Sequence, residues 1–496
     1  MLIKQVEKLK LRKEAELLVL PFLEAEKKAK KALWASFEPE FLDLAPIKNG
    51  DFFGQTDESF LIYPEKEDTL EKRLLLWGLG TEKKLTLESV RHSAAALVKK
   101  CRSLKVKKIN LLFPSRIKNL KKKELFSALL DGLYLANYAF SQLKQETLEE
   151  VPPLLEEIAL IGLSAKEADL IKKKALIAEG VYLARDLVMG NADDVTPQKL
   201  AEVAQSFQKL SSKIEVEVLD KKKLEKARLS LLLAVNRASA LDPALIIIHY
   251  KGSKEKKLTA LVGKGLTYDT GGLCLKPASS MDTMKCDMAG AAAVLGAIRT
   301  AALLNLKVNL VGVIPATENA IGSKSYKPGD VYPSHLGKTV EVENTDAEGR
   351  LILADALSYA IERFQPDHLI DLATLTGAIS IALGEEIAGF FTNDAKLVKK
   401  FKTASKNTGE HLWHMPLFNE YLKNLNSEIA DLKNTGDRKG GSIAGALFLN
   451  EFVSGRSWVH LDIGGSAYYS KPKGYYPVVA TGYGVRLLIE LFENGL

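Results

Sequence analysis

Short apolar runs alternate with amphipathic stretches through the first third of the chain. Leu74-Leu75-Leu76-Trp77-Gly78 is apolar throughout and reads as a buried strand. From Leu87 to Cys101, Val90, Ala94 and Leu97 recur at helical spacing, which predicts an amphipathic helix. Ile109 to Phe113 reads as a second strand closed by Pro114, Leu125 to Ala136 as a helix, and Glu157 to Leu163 as a third strand. Strands that alternate with helices predict a mostly parallel sheet. Pro152-Pro153 and Gly162 to Ser164 mark the end of this region, so residues 1–165 are expected to form a first α/β domain. Ala165 to Leu187 carries a long helical pattern charged on one side, broken by Asn191 to Pro197. Residues 166–194 are therefore expected to be a connecting helix and turn.

The pattern resumes in residues 195–496. Ala244 to Tyr250 and Leu258 to Val262 read as adjacent strands joined by the charged turn Gly252 to Lys257. Ala289 to Leu304 is a helix of small residues, and Val308 to Ile314 a strand ended by Pro315. His368 to Leu375 and Trp458 to Ile463 are strands, with Ser442 to Phe452 an apolar helix before the latter. The expected fold is α/β in two domains, each a largely parallel or mixed sheet flanked by helices.

Candidate chemistry centres on Asn344-Thr-Asp-Ala-Glu-Gly-Arg350, led in by the strand-like Thr339 to Val342 and followed by the helical pattern Leu351 to Phe364. Asp346 and Glu348 should sit on a turn between a strand end and a helix start, where open α/β sheets place ligands. Acids in a first helical turn also complement the helix dipole, the plainer explanation. A second stretch enlarges the group. The strand Leu258 to Val262 runs into a glycine-rich turn carrying Lys264, Asp269 and Lys276, and Met284 to Gly290 opens an Ala-rich helix with Asp287 near its start. Four carboxylates, two lysines and Arg350 thus fall on three strand-to-helix junctions. Brought together, such acids raise one another's pKa, and divalent cations are the natural remedy. Lys264 is either a neutral ligand or a salt-bridge partner of the acids. The histidines show no ligand spacing such as His-x-x-x-His, which disfavours a single-zinc peptidase site.

These stretches, with Asp371 to Gly377, Gly436-Asp437 and His460 to Gly465, resemble the leucine aminopeptidases, the dinuclear-metal exopeptidases of the M17 type. The likeness spans most of the chain after about residue 165 and departs from the family at Val188 to Asp193, a structural turn. It implies that Asp269 and Glu348 bridge two divalent ions, Mn2+ or Zn2+, with Asp287 and Lys264 completing one and Asp346 the other. It implies a metal-bridging hydroxide that attacks the peptide carbonyl, Lys276 stabilising the oxyanion, and Arg350 holding bicarbonate as a proton shuttle. Met284, Asn344, Thr374 and Gly377 match positions lining the first-residue pocket, which implies removal of single, leucine-like N-terminal residues from peptides. Family members form homohexamers, and some also bind DNA. A DNA-binding architectural or regulatory protein with secondary peptidase activity is therefore the alternative, and an inactive paralogue is disfavoured by seven intact positions. Asp371 and Asp462 are expected to be buried, either orienting ligands or forming strand-end turns.

Composition adds little that competes. The 496 residues are 46% hydrophobic, enough for large cores, and the absence of an apolar run of about 18 residues predicts no membrane-spanning helix. The start lacks the apolar core of a secretory signal. Three cysteines, Cys101, Cys274 and Cys286, argue against a disulfide framework and suit a reducing cytoplasm; the last two read as small apolar fillers. The net charge of +7 owes much to Lys105, Lys107, Lys108, Lys118 and Lys121 to Lys123. These are expected to be a solvated surface; no nucleic-acid motif or interleaved aromatic accompanies them. His92 is expected to serve surface or packing, with no partner in view.

Overall fold

The computed structural model describes all residues except 25–32, 35–45, 47–48, 65–69, 115–116, 144–150 and 438. Two units form. One comprises Met1–Ala178 with Pro472–Val478, the other Glu179–Lys471 with Val479–Leu496. The division falls inside a helix, Ala168–Met189.

In the first unit, a seven-stranded mixed sheet runs in the order β1 (Leu2–Val6), β7 (Glu157–Ile161), β6 (Lys108–Leu112), β2 (Leu17–Leu23), β5 (Leu74–Gly78), β4 (Ser59–Ile62), with β3 (Leu33–Trp34) also paired to β2. The pairs from β1 to β5 are parallel, while β4 and β3 pair antiparallel. Strand β5 is buried along its whole length, as its unbroken apolar run requires. Helix Leu87–Ser103 starts at a capping box, with Ser89 N donating to Thr86 Oγ1 at 3.1 Å and Thr86 N to Ser89 Oγ at 2.8 Å. It packs on helix Lys122–Ala136 so closely that a Cβ at Gly132 would lie 2.4 Å from the Arg91 carbonyl oxygen. Pro472–Val478 completes this unit: Tyr475 donates its hydroxyl to Glu88 Oε1 at 2.8 Å, and its ring lies 5.2 Å from that of His92. His92 thus has partners the sequence did not reveal, Tyr475 and, at 3.2 Å, Glu88.

The second unit is built on a nine-stranded sheet: β17 (Leu412–His414), β16 (Ala388–Thr392), β19 (Ser457–Asp462), β15 (His368–Ala373), β10 (Leu258–Gly263), β12 (Asn309–Asn319), β9 (Ala244–Lys251), β8 (Ile214–Leu219), with β11 (Gly265–Asp269) also on β12. Its centre, β19, β15, β10 and β12, is parallel. Two expectations need correcting. Strands β9 and β10 are not neighbours, because β12 inserts between them, antiparallel to β9 and parallel to β10. Pro315 does not end its strand. The strand continues to Asn319, with Pro315 in register opposite Leu245 of β9 while the parallel ladder on the other side pauses between Val262↔Val313 and Gly265↔Ala316.

Helix Glu348–Phe364 is buried from Glu348 to Ile361 and lies in the main core with Leu351, Leu353, Ala356 and Leu357. Asp355 anchors it by accepting the backbone N–H of Leu231 at 2.9 Å, Leu232 at 3.1 Å and His335 at 2.8 Å. Residues Ala278–Leu303 are long and apolar enough to cross a membrane, yet 89% of their most apolar window is buried in the fold, as for a core helix. A small sheet of β13 (Val331–Pro333), β14 (Thr339–Glu341) and β18 (Leu432–Lys433) completes the unit.

Candidate metal centre

The predicted ligands lie at or beside the ends of regular elements. Lys264 sits between β10 and β11, its N–H bonded to Leu372 O at 3.0 Å and its carbonyl accepting Ala291 N–H at 3.0 Å. Asp269 is the last residue of β11, so the expected glycine-rich turn is in fact a strand up to this point. The turn proper is Gly271-Gly272, both at positive φ (83° and 64°), which glycine adopts without strain. Asp287 follows the short 3₁₀ turn Met284–Cys286 ahead of helix Ala289–Leu303. Asp346 lies in the turn before Glu348, the first residue of its helix. The strand feeding that turn, β14, belongs to the small sheet and not to the main one.

These groups meet. Lys264 Nζ lies 2.8 Å from Asp287 Oδ2 and 2.9 Å from Glu348 Oε1; Lys276 Nζ lies 2.8 Å from Asp269 Oδ2 and 2.5 Å from Asp346 Oδ1. Oxygens of Asp269, Asp346 and Glu348 lie within 4.8 Å of one another. Lys264, Asp269, Asp287 and Glu348 are all buried. Room for the Lys264 side chain depends on Gly349, where a Cβ would stand 2.5 Å from Lys264 Cε.

Burial, then the Asp269 carboxylate, pushes the Glu348 carboxyl above its ordinary pKa. Burial likewise raises Asp287 against the pull of Lys264, and Asp346 against that of Lys276. Burial disfavours both ammonium groups, but the surrounding carboxylates outweigh it and raise Lys264 and Lys276. Without an ion between them, the Asp287 and Glu348 carboxylates thus favour the charged form of Lys264.

Four carboxylates outnumber the two lysines, and their four negative charges match two divalent ions. Glu348 Oε2 is buried without a hydrogen-bond partner among the described residues. Clustered carboxylate oxygens with one amine nitrogen form a donor set suited to divalent cations. The residues present fit a pair of such ions.

Of the other predicted positions, Thr374 and Asn344 bond to members of the cluster. Thr374 donates Oγ1–H to Asp287 Oδ1 at 2.7 Å, and its carbonyl accepts Lys264 Nζ at 3.0 Å. Asn344 Oδ1 accepts Asp346 N–H at 2.8 Å. Gly377 opens helix Gly377–Leu383 with nothing within 4 Å of a built Cβ, and Met284 opens the turn before Asp287. Arg350 is buried, and its NH1 donates to Asn434 O at 2.8 Å.

Two asparagines escaped the sequence reading. Asn319 donates to Asp269 Oδ1 at 2.8 Å and to Thr345 O at 3.0 Å, tying β12 to both ligand segments. Asn434 accepts the N–H of Glu343 and Asn344 and donates to Asn344 O at 2.7 Å, so it braces the turn as well as Arg350. Asn434 stands two residues before the Gly436-Asp437 pair; that position was its one visible signal.

Comparison with known proteins identifies the family. Residues 182–489 match the Cytosol aminopeptidase family, catalytic domain, and residues 19–147 its N-terminal domain. A probable cytosol aminopeptidase of Protochlamydia amoebophila (strain UWE25) is 47% identical over 489 residues, 97% of either chain. One of Chlamydia felis (strain Fe/C-56) is 44% identical over 491 residues, 98% of this chain and 97% of that one. Among solved structures, the bottromycin maturation enzyme BotP in complex with Mn superposes with a TM-score of 0.85 at 30% identity, covering 97% of this chain and 99% of its own. With both domain types matched in order and relatives aligned along nearly the whole length, the chain belongs to the cytosol aminopeptidase family.

Proposed function

We propose that this aminopeptidase is metal-dependent and removes single, leucine-like N-terminal residues from peptides, with residues 195–496 as its catalytic domain, 1–165 as an N-terminal α/β domain and 166–194 as the connector. The observation that carries the reading is the buried cluster of four carboxylates, whose four negative charges match two divalent ions. Asp269, Asp287, Asp346, Glu348 and a deprotonated Lys264 would hold two divalent ions. A lysine loses its proton at pH 7 at a cost of roughly 4–5 kcal/mol, which only a metal or deep burial offsets. When bound, such ions activate water and polarise the substrate carbonyl.

The chain's own groups do the rest. Lys276, whose side chain is 14% exposed, reaches the open side of the cluster and stabilises charge developing on the carbonyl oxygen. Arg350 is too basic to serve as the base; its guanidinium would instead hold an anion such as bicarbonate, which would supply a proton carrier. Met284, Asn344, Thr374 and Gly377 border the pocket for the first side chain. Manganese, named with BotP, and zinc are the metals we favour. A cytoplasmic location follows the relatives' name, and a homohexamer is the assembly we assign by family resemblance.

Leucine-anilide hydrolysis by purified protein tests the reading. Activity should vanish with chelator and return with Mn2+; hydrolysis that chelator leaves untouched would overturn it.

The lysine clusters of the first unit should be dispensable. Lys107 pairs with Glu156 at 2.9 Å, Lys121 with Glu124 at 3.5 Å and Lys122 with Glu167 at 2.8 Å, as solvated surface charges do. Neutralising Lys105, Lys107, Lys108, Lys118 and Lys121 to Lys123 should leave kcat within about twofold, since exposed pairs contribute little. A larger fall would tie these lysines to catalysis. Salt-sensitive binding of duplex DNA that disappears on neutralisation would revive the nucleic-acid alternative.

A further inference from the structure

Asp371 and His460 face each other across β15 and β19, and both are fully buried. Asp371 Oδ1 lies 2.6 Å from His460 Nδ1, and its Oδ2 accepts the Trp458 indole N–H at 2.6 Å. The carboxylate thereby places a proton on Nδ1. The imidazole is clamped between rings, with Phe391 at 5.8 Å and Trp458 at 6.1 Å, both nearly parallel to it. His460 Nε2 nevertheless has no hydrogen-bond partner among the described residues. A locked ring with a buried nitrogen left over is costly unless that nitrogen serves something.

Arg350 shows the complementary feature. NH1 is tied to Asn434 O, while Nε, a donor only, is buried without a partner among the described residues. The guanidinium lies beside the turn at Leu375 and Thr376: a Cβ on Gly445 would stand 3.6 Å from Arg350 NH2 and 3.3 Å from both Leu375 Cδ2 and Thr376 Cγ2. Asp462 fixes that turn, accepting Thr376 Oγ1–H at 2.6 Å and Leu375 N–H at 3.1 Å. Asp462 is two residues along β19 from His460, on the same face of the strand. Arg350 and His460 thus flank the same Leu375–Thr376–Asp462 contact, each with one buried nitrogen lacking a partner among the described residues; with the proton on Nδ1, that of His460 is an acceptor.

We propose that the Asp371–His460 dyad is a positioning device for Arg350, His460 Nε2 fixing the guanidinium at Nε through one bridging water. With NH1 held by Asn434 and Nε by the dyad, the remaining N–H groups keep a single orientation toward the metal centre. Such a water link is nearly as strong as a direct hydrogen bond. The inference rests on the reading that Arg350 acts in the reaction.

The test exploits the two ring nitrogens. Glutamine places its amide near the position of Nε2, asparagine near that of Nδ1. His460→Asn should lower kcat by about 10–100-fold, the range for residues that orient a site from behind, with KM and metal content unchanged. His460→Gln should stay within a few-fold of the unmodified protein. In an Arg350→Ala background, His460→Asn should have no further effect. Equal losses for the two amides, or an undiminished His460→Asn effect without Arg350, would overturn the inference. Asp371→Asn, which keeps the side-chain volume, gives a second route: its kcat loss should also be absent in the Arg350→Ala background, and an additive loss counts against the dyad. Full kcat in Arg350→Ala alone would instead remove the role of Arg350. A normal Arg350→Ala loss with a silent His460→Asn would remove only the dyad's part.

Discussion

Glu348→Ala is expected to abolish hydrolysis and strip metal from the protein, and Asp346→Ala to do the same. Glu348 is 2% exposed and fixed as the first residue of a core helix, so no neighbouring group can swing in to replace it. Its Oε1 faces Lys264 and its Oε2 is uncommitted, which leaves the carboxylate open to two cations at once. Asp346 brings the oxygen that meets those of Asp269 and Glu348 within 4.8 Å. Losing the ions forfeits several kcal/mol of charge stabilisation, and at 1.36 kcal/mol per decade the rate should fall by about a thousandfold or more. Metal stoichiometry measured beside leucine-anilide hydrolysis decides the matter. A fully active, metal-replete Glu348→Ala protein would sink the two-ion assignment.

Lys264→Ala and Lys276→Ala should fail in different ways. Both ammonium groups bridge two carboxylates, yet their surroundings differ. Lys264 is enclosed at 2% exposure, and its Nζ is also held by the Thr374 carbonyl. Its loss should weaken one metal position, and excess Mn2+ should partly restore activity by mass action. Lys276 follows the Gly271-Gly272 turn with its side chain partly open to solvent, placed to meet a substrate carbonyl. Its loss should lower kcat by about 100–1,000-fold, as for other lost oxyanion donors. KM and metal content should change little, because the interaction belongs to the transition state. Steady-state kinetics across a Mn2+ titration separate the two. Rescue of Lys276→Ala but not Lys264→Ala would mean the roles are reversed.

The cluster of acids and lysines was legible because its members sit in local segments whose residue types are chemically unusual: paired acids before a helix, and lysines among glycines. Continuous apolar runs such as Leu74–Gly78 and the periodic helix from Leu87 were equally plain, since burial dictates both patterns. Features decided by distant partners were not. Gly265–Asp269 looks like a turn by composition and becomes a strand only through pairing with β12. The same β12 separates β9 from β10, which a charged connection had suggested were neighbours. Asn434 braces Asn344 from 90 residues away, and Tyr475 reaches Glu88 across 387. Nothing near an isolated asparagine or tyrosine announces such a bond.

The return of Pro472–Val478 to the first unit sets a schedule for synthesis. All strands of that unit have been made by Ala178, but its last segment begins 294 positions later (472 − 178). At about 5–20 residues per second, the ribosome needs roughly 15–60 s to deliver it. Throughout that interval the Glu88–His92 face lacks Tyr475. A chain released at Ala178 is thus a snapshot of a nascent intermediate, and the first unit reaches its final form only after nearly all of the second has left the ribosome.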